Sequence, residues 1–299
     1  MLHISLFITI YILVIAFILG CACGSFIDCM VWRMQHGESV LRGRSHCDSC
    51  GHVLGGADLV PLFSYLCLRG RCRYCGAKVP PEDFFAELAL GSAFALVVWK
   101  YDLSVLTLRY VLLSCILLAI SLADLHTFLI PDRFQIAGIL LWLATAPLLD
   151  LTLTPAGAAA LNGGTAAMQA GAAALNGGTA AMQGGAAVLA ASGWKAEALW
   201  GLVSAVSVSA AMLFLSLLFD RLTGKESLGG GDIKLYFMTG LYMRPGEAAF
   251  NLILSCIIGL IFAGLLKKQK IPFGPSISLA TFLSILVGRN FVQWYISLI

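Results

Sequence analysis

Long apolar runs separated by short polar segments dominate this chain. Stretches apolar enough to cross about 30 Å of hydrocarbon as helices recur from the first residues to the last. They lie near residues 4–24, 84–100, 104–123, 134–150, 198–219, 248–266 and 273–298, with a shorter one at about 233–243. This pattern predicts an all-α polytopic membrane protein with about eight transmembrane helices.

Two segments interrupt the apolar pattern. Residues 30–83 are polar and rich in Gly, Arg and Cys, which predicts a small domain outside the membrane. Residues 156–183 contain the same 14-residue unit twice, rich in Ala and Gly and without charge, within a low-complexity stretch at about 152–197. We therefore expect a first transmembrane helix at 1–29, an extramembrane domain at 30–83 and a membrane domain at 84–299, with 152–197 as a loop of coil or short helical pieces.

Composition agrees with this interpretation. The 299 residues are 59% hydrophobic and 12% charged, with a mean hydropathy of +0.89, which excludes an ordinary soluble globular protein. The first apolar run could instead be a signal peptide, but no Lys or Arg precedes it, so a retained helix is favoured.

The basic residues fall unevenly between the two sides of the membrane. If the spans alternate, one side receives Arg33, Arg42, Arg44, Arg69, Arg71, Arg73, Lys78, Arg133, Arg221, Lys225, Lys234, Lys267, Lys268 and Lys270. The other side receives Lys100, Arg109, Lys195, Arg244 and Arg289. The positive-inside rule places the first set in the cytoplasm and the N-terminus outside, in a bacterial inner membrane. The net charge of +3 then reflects topology and contact with lipid, and it does not indicate nucleic-acid binding.

Four cysteines in the polar segment have the spacing of a zinc site. Cys47 and Cys50 form one Cys-x-x-Cys pair, and Cys72 and Cys75 form a second about two dozen residues later. Zinc would supply folding energy that so short a segment cannot obtain from a core. The alternative is a pair of disulfides or four unrelated thiols. We predict a cytoplasmic four-cysteine zinc-knuckle domain between the first and second spans.

Two aspartates stand where long apolar runs break. Asp124 ends the third predicted span, and Asp232 follows three glycines, Gly229, Gly230 and Gly231, at the start of the sixth. Both fall at the cytoplasmic face in the predicted topology, and carboxylates at membrane edges usually have a function. Two carboxyls in a partly dry site share a proton, which leaves one as general base and one as general acid. Capping of the next helix is the alternative for Asp232.

These residues resemble the type IV prepilin peptidase family, membrane aspartic proteases of the GxGD type. Further motifs are similar to that family in the expected order: Gly24-Ser-Phe-Ile-Asp-Cys-Met-Val-Trp-Arg33, Arg44-Ser-His-Cys47, Asp58-Leu-Val-Pro61, Arg69-Gly-Arg-Cys72 and Ile271-Pro-Phe-Gly-Pro275. The resemblance covers nearly the whole chain except the repeat. It implies a catalytic dyad of Asp124 and Asp232 that cleaves the leader of prepilins and pseudopilins at the cytoplasmic face.

Two neighbouring polar residues receive lesser roles. Asp132 follows Pro131 and should begin the next span, in a capping or supporting position; a direct catalytic part in place of Asp124 is the alternative. Lys234 lies two residues past Asp232, where it could lower the pKa of that carboxyl, hold substrate or anchor the topology.

The resemblance also implies a second activity. Family members with the cysteine-bearing domain methylate the new N-terminal amine with S-adenosylmethionine. This chain departs from the family there: Asp28 replaces the usual Asn, and residues around Glu82-Asp83-Phe84 replace Arg-Tyr-Pro, although Glu87 is retained. Those departures place the methyltransferase in more doubt than the protease.

Two other classes of function compete with this interpretation. An ion or proton carrier would also use intramembrane carboxylates, but it predicts broken helices at mid-membrane and internal symmetry. An interaction module carried by passive helices would use Asp124 and Asp232 only as caps. Substitution of either aspartate would then leave function intact.

Overall fold

The protein is helical in the part that the computed structural model describes, residues 2–40, 43–149, 180–224, 229–266 and 272–298. The helices are α1 (Leu2–Gln35), α2 (Phe63–Cys67), α3 (Pro81–Tyr101), α4 (Val105–Thr127), α5 (Asp132–Thr145), α6 (Ala180–Thr223), α7 (Gly230–Gly240), α8 (Pro245–Leu266), α9 (Gly274–Leu283) and α10 (Arg289–Leu298). A π-helical segment, Ser284–Gly288, joins α9 to α10. There the hydroxyl of Tyr101 donates a hydrogen bond to the Ile285 carbonyl at 2.7 Å. This bond satisfies one backbone acceptor of the irregular turn.

Six of the described helices are long and apolar enough to cross a membrane. The candidate spans are Phe7–Gln35, Pro81–Tyr101, Val105–Thr127, Trp194–Leu222, Pro245–Gly264 and Gly274–Leu298. The predicted spans at 134–150 and 233–243 correspond to the shorter helices α5 and α7, of 14 and 11 residues. At 1.5 Å per residue these rise only about 21 and 17 Å, so each is shorter than the full thickness of the hydrocarbon. The eight predicted stretches are therefore six long helices and two short ones.

Several boundaries differ from the expected ones. Helix α1 continues to Gln35, beyond the expected end at residue 29, because nothing in Met30–Gln35 breaks a helix. Helix α6 begins at Ala180, inside the stretch expected to be a loop, because its alanines favour helix despite the glycines. The first copy of the repeat and most of the second lie outside the described residues.

Local signals set the helix starts close to the site. Pro81 opens α3, with Glu82 and Asp83 in the first turn, where acidic side chains favour the helix N-terminus. Pro131 caps α5, so the expectation that Asp132 begins a helix is confirmed. A left-handed residue, Phe128 at φ 54°, ends α4 and donates to the Asp124 carbonyl at 2.9 Å.

Small residues allow the helices to approach closely. A Cβ on Gly20 would lie 2.6 Å from the Leu90 carbonyl, and one on Gly24 would lie 2.9 Å from the Ala86 carbonyl. These glycines are four residues apart, so they form one face of α1 that meets α3. A Cβ on Gly240 would similarly lie 2.7 Å from the Cα of Ala205, which sets α7 against α6.

Helix α4 lies at the centre of the bundle and contacts α1, α3, α5 and α9. Its buried residues include Leu113 and Ile120, both fully inaccessible. The C-terminal end of α4 and the N-terminal ends of α7 and α9 meet at one end of the bundle. That meeting point brings together residues that are far apart in sequence.

Candidate functional site

Asp124 is held in the last turn of α4 by a backbone donor from another helix. Its side chain is only 5% exposed. The N–H of Gly274, the first residue of α9, donates to Oδ2 of Asp124 at 2.7 Å. A hydrogen bond from a helix N-terminus favours the ionised carboxylate. Asp124 is therefore placed to act as a carboxylate.

Asp232 lies in the first turn of α7, directly after the three glycines. Its N–H donates to the Gly229 carbonyl at 3.0 Å, which closes the turn that starts the helix. A Cβ on Gly230 would meet nothing within 4 Å, and one on Gly229 would meet only Oδ2 of Asp232, at 3.5 Å. As far as the described residues show, the backbone at Gly229 and Gly230 is open beside the carboxyl group, so another chain has room to approach it.

The two aspartates interact electrostatically across the bundle. Asp232 lies outside the six candidate spans, and burial together with the charge of Asp124 raises its pKa to about 6. Asp232 is therefore unlike an ordinary surface carboxyl, because it keeps its proton up to about pH 6. The two carboxyls lie near enough to interact electrostatically, and their action as a catalytic pair stays a prediction.

Two residues that the sequence interpretation gave no role hold this arrangement. Gln135 of α5 is 4% exposed and donates from Nε2 to the Gly231 carbonyl at 3.1 Å, which ties the glycine segment to α5. Gly274 supplies the donor to Asp124, and no side chain would fit there, since its Cβ would lie 2.7 Å from Oδ2. Gly274 belongs to the Ile271–Pro275 motif, so the sequence already indicated that this segment matters. Gln135 belongs to none of the motifs, so no sequence pattern indicated its role.

Lys234 does not contact Asp232. Its Nζ donates to Oδ1 of Asp132 at 2.7 Å, and both side chains are more than half exposed. This ion pair links α5 to α7 on the surface beside the dyad. An exposed pair of this kind contributes little to stability, about 0 to 1 kcal/mol.

A cavity of 390 Å³ lies at the C-terminal end of α4. Its wall includes Ala123 and Thr127 of α4 and Val31 and Met34 of α1. The α4–α5 connection and the start of α5 supply further lining residues: Leu129, Ile130, Pro131, Asp132 and Arg133. The cavity has room for an apolar side chain, and neither Asp124 nor Asp232 is among the residues that line it.

The four predicted metal-binding cysteines come together in the segment between α1 and α3. The sulfurs of Cys47, Cys50, Cys72 and Cys75 all lie within 4.8 Å of one another. None of the ten cysteines, all in the described part of the chain, forms a disulfide. Cys47 and Cys75 are separated by 3.8 Å between sulfurs, far beyond a disulfide bond. Tetrahedral zinc with bonds of about 2.3 Å separates its sulfurs by about 3.8 Å, so the cluster fits zinc.

The two knuckles have the same backbone design. Gly51 donates to the Cys47 carbonyl and Gly76 to the Cys72 carbonyl, at 2.8 and 3.0 Å. Both glycines have the left-handed backbone conformation that the tight turn requires, with φ of 68° and 72°. The repeated geometry explains why each Cys-x-x-Cys pair is followed by glycine.

Asp58 links the segment between the two knuckles to the second knuckle. It accepts hydrogen bonds from the N–H of Gly55 at 3.1 Å and from the Tyr74 hydroxyl at 3.0 Å, and Arg73 lies 2.8 Å away. The Gly55 hydrogen bond is the largest cause that holds the pKa of Asp58 below its usual value. Asp58 therefore fixes the second knuckle as a carboxylate.

Comparison with known families agrees with both parts of the structure. Residues 18–101 match the family model described as Bacterial Peptidase A24 N-terminal domain, which here comprises most of α1, the knuckles and α3. Residues 111–264, more than half of the chain, match the model described as Type IV leader peptidase family. The chain belongs to that family. Asp124 and Asp232 both lie inside the second match.

Three relatives of this leader peptidase illustrate the similarity, and each is named prepilin leader peptidase/N-methyltransferase. The protein from Bacillus subtilis strain 168 is 26% identical, over 95% of this chain and 98% of the relative. The one from Aeromonas salmonicida strain A449 is 30% identical, over 86% and 75%. The one from Neisseria gonorrhoeae is 25% identical, over 89% and 87%. No solved structure matches the chain.

Proposed function

We propose that this multi-pass membrane protein is an aspartic endopeptidase that removes the leader of type IV prepilins and pseudopilins, with Asp124 and Asp232 as its catalytic dyad. The observation that carries the proposal is the convergence of two carboxyls from α4 and α7 beside an open glycine backbone. The printed names of the relatives supply the substrate class. Those names also favour an enzyme over the ion carrier that the carboxylates alone would permit.

The two aspartates take different parts in hydrolysis. Asp124 accepts the Gly274 N–H, which stabilises its ionised form, so it serves as the general base that draws a proton from water. Asp232, with its pKa raised to about 6, keeps its proton below that pH and donates a hydrogen bond to the scissile carbonyl. The water oxygen attacks the carbonyl carbon, and the amide nitrogen leaves after accepting from Asp124 the proton that came from the water. No covalent acyl-enzyme is required.

The open glycines and the apolar cavity suggest where the substrate lies. An extended peptide can approach Gly230 closely, because no atom of the described residues lies within 4 Å of its Cβ position. The 390 Å³ cavity at the C-terminal end of α4 would then accept an apolar residue of the substrate. Lys234 and Asp132, paired at the surface, support this entrance.

The topology follows from the charge distribution. The ends of α1 and α4 and the starts of α3, α5, α7 and α9 share one side, where most of the basic residues lie. The positive-inside rule makes that side cytoplasmic, in a bacterial inner membrane, with the N-terminus outside. The dyad then faces the cytoplasm, where the basic leader of a prepilin would be found.

Zinc and a methyl donor complete the proposal. Cys47, Cys50, Cys72 and Cys75 would hold zinc as thiolates, and the metal would stabilise the fold of the small domain. The relatives' names imply methylation of the new N-terminus, for which S-adenosylmethionine would supply the methyl group.

Mass spectrometry of a purified prepilin incubated with the detergent-solubilised protein tests the peptidase. We expect the unsubstituted protein to remove the leader, and Asp124→Asn or Asp232→Asn to leave the prepilin intact. Asp102→Asn is the matched control, because Asp102 is an exposed residue at the far end of α3. Asn has the shape of Asp, so the substitution removes the charge without adding bulk at this position. Cleavage by either dyad variant at the unsubstituted rate would refute the assignment.

A further inference from the structure

An uncharged, apolar segment lies inside the otherwise polar domain between α1 and α3. Residues 59–67 read Leu-Val-Pro-Leu-Phe-Ser-Tyr-Leu-Cys, in a domain that is otherwise rich in Arg. Phe63 and Leu66 are 65% and 63% exposed, and Leu59 and Val60 are exposed as well. A group of large apolar side chains on a protein surface usually marks a contact with another apolar surface. The segment lies outside the six candidate spans, so this contact is not explained by the spans themselves.

The short helix α2 within this segment has two different faces. Ser64 and Tyr65 line a cavity of 410 Å³ between the four-cysteine domain, α1 and α3. Phe63 and Leu66 are three residues apart and share the opposite face of the helix. Neither is among the described residues that line the cavity. The inner face of α2 is therefore occupied by the protein itself, and the outer face is apolar and uncovered.

Contacts with α3 place the segment at the depth of a membrane span. The N–H of Leu62 donates to Oε2 of Glu87 at 2.6 Å, and the ring of Tyr65 lies 5.1 Å from the ring of Phe84. Phe84 and Glu87 belong to the first two turns of the candidate span Pro81–Tyr101. Residues 62–65 therefore lie beside the end of a span, where lipid headgroups meet acyl chains.

The first knuckle lies farther from the membrane centre. Gly24 of α1 packs on Glu87, which relates α1 to the depth of the Leu62 contact. Trp32 follows eight residues later, about 12 Å further along α1, and its ring lies 6.1 Å from that of His46. His46 is paired with Val53 across the first knuckle in an isolated β-bridge. Val53 is also apolar and exposed, so it has the same chemistry at a different height.

The segment is held firmly in this position. Leu62 has a φ of 59°, which is strained for leucine and persists where the surroundings fix it. The Glu87 carboxylate supplies one such constraint. Gly70 supplies another, because its N–H donates to the Tyr65 carbonyl at 2.9 Å and its Cβ would lie 2.8 Å from the Tyr65 hydroxyl. Phe63 and Leu66 are therefore presented outward by a fixed support.

The outer face of α2 continues the lipid-facing surface of α3. The rings of Phe84 and Phe85 lie 5.7 Å apart, and Phe85 is exposed within a candidate span, so it faces lipid. Aromatic contacts thus run from Tyr65 through Phe84 to Phe85. Arg69, which follows α2, is exposed and supplies a positive charge for lipid phosphate.

We propose that residues 59–67 form an interfacial anchor of the four-cysteine domain, with Phe63 and Leu66 inserted among the acyl chains of the leaflet on the side of the dyad. Phospholipid is the partner, because the anchor lies beside the end of a span and is continuous with the lipid-facing side of α3. The inserted face fixes the domain against the spans and holds the wall that Ser64 and Tyr65 give to the 410 Å³ cavity. The inference does not depend on the peptidase activity.

Photolabelling of the unsubstituted full chain tests the anchor. The protein is placed in lipid nanodiscs, one copy per disc, with a phospholipid that carries a photoactivatable diazirine on its acyl chain. Mass spectrometry then maps the labelled residues. We expect label on Phe63 and Leu66, and on Phe85 as the reference within a span, but not on Val53. Label on Phe85 with none on residues 59–67 would overturn the inference.

A double variant tests what the insertion does. Phe63→Ser/Leu66→Ser should lose the lipid label of residues 59–67 while Phe85 keeps its label, and trypsin should cut after Arg69 faster than in the unsubstituted protein. Val53→Ser is the matched control and should change neither result. Unchanged cleavage after Arg69 in the double variant would show that lipid does not hold the domain. If residues 59–67 escape label in discs with one copy but resist trypsin only in discs with two, the face joins two copies of the chain and the inference fails.

Discussion

Replacing Gly274 by Ala tests whether the backbone donor to Asp124 is essential for catalysis. An ideal Cβ at this position would lie 2.7 Å from Oδ2 of Asp124 and 3.1 Å from its Cβ and Cγ. A carbon and an oxygen in weak contact are normally about 3.3 to 3.6 Å apart, so the carboxylate must move by about 0.5 to 1 Å. The 2.7 Å hydrogen bond from the Gly274 N–H would then lengthen or break.

The expected effect follows from that hydrogen bond. A hydrogen bond to a charged group contributes about 1.5 to 3 kcal/mol, and each 1.36 kcal/mol changes a rate tenfold. We therefore expect kcat/KM for prepilin cleavage to fall about 10- to 150-fold. The fold should survive, because Gly274 has an ordinary helical backbone conformation and the change affects one contact.

The assay is leader removal at several prepilin concentrations, with the melting temperature of each detergent-solubilised variant measured in parallel. Gly264→Ala is the matched control, since a Cβ there meets nothing within 4 Å and the residue lies in the exposed part of α8. It should keep kcat/KM within about twofold and should not lower the melting temperature. Wild-type kcat/KM in Gly274→Ala would refute the role given to this hydrogen bond.

Four further results are expected. The pKa of Asp232 is raised to about 6, and its protonated form is the proposed acid, so kcat/KM for prepilin cleavage should fall as the pH rises past about 6. If kcat/KM instead rises through that pH, the roles of Asp124 and Asp232 are exchanged. Cys50→Ser removes one of four thiolates, so bound zinc measured by elemental analysis should drop and limited proteolysis should cut between α1 and α3. Asp132→Asn breaks only an exposed ion pair with Lys234, so leader cleavage should change by less than about fivefold, and a complete loss would give Asp132 a catalytic part. Gly24→Leu pushes α1 away from α3, so the melting temperature should fall by several degrees, and an unchanged value would argue against close packing there.

Local signals explain which features were predictable from the sequence. Hydropathy identified the long helices, because each buries an apolar stretch of membrane length whatever its neighbours are. Pro131 predicted the start of α5, and the paired Cys-x-x-Cys spacing predicted the thiolate cluster, because a tight turn fixes two ligands at a time. Residues 180–197, for which coil or short helical pieces are expected, are helical in the structure, because alanine favours helix despite the Gly–Gly pair.

The contacts that assemble the sites were not predictable in the same way. Gln135 binds the Gly231 carbonyl across 96 positions, and Gly274 binds Asp124 across 150. No local pattern encodes such partners, because they depend on how helices cross. The packing of α1 on α3 has the same origin, in the glycine face formed by Gly20 and Gly24.

The sequence by itself determined the class of protein, the membrane segments, the four-cysteine cluster and the two aspartates that stand where apolar runs end. It could do so because hydrophobicity, turn formation and metal-ligand spacing act over a few residues. Only the tertiary structure decided that Lys234 pairs with Asp132 and not Asp232, and that two short helices complete the bundle. It also decided that Gly274 holds Asp124, because close helix packing in a membrane depends on small residues from segments far apart in the chain.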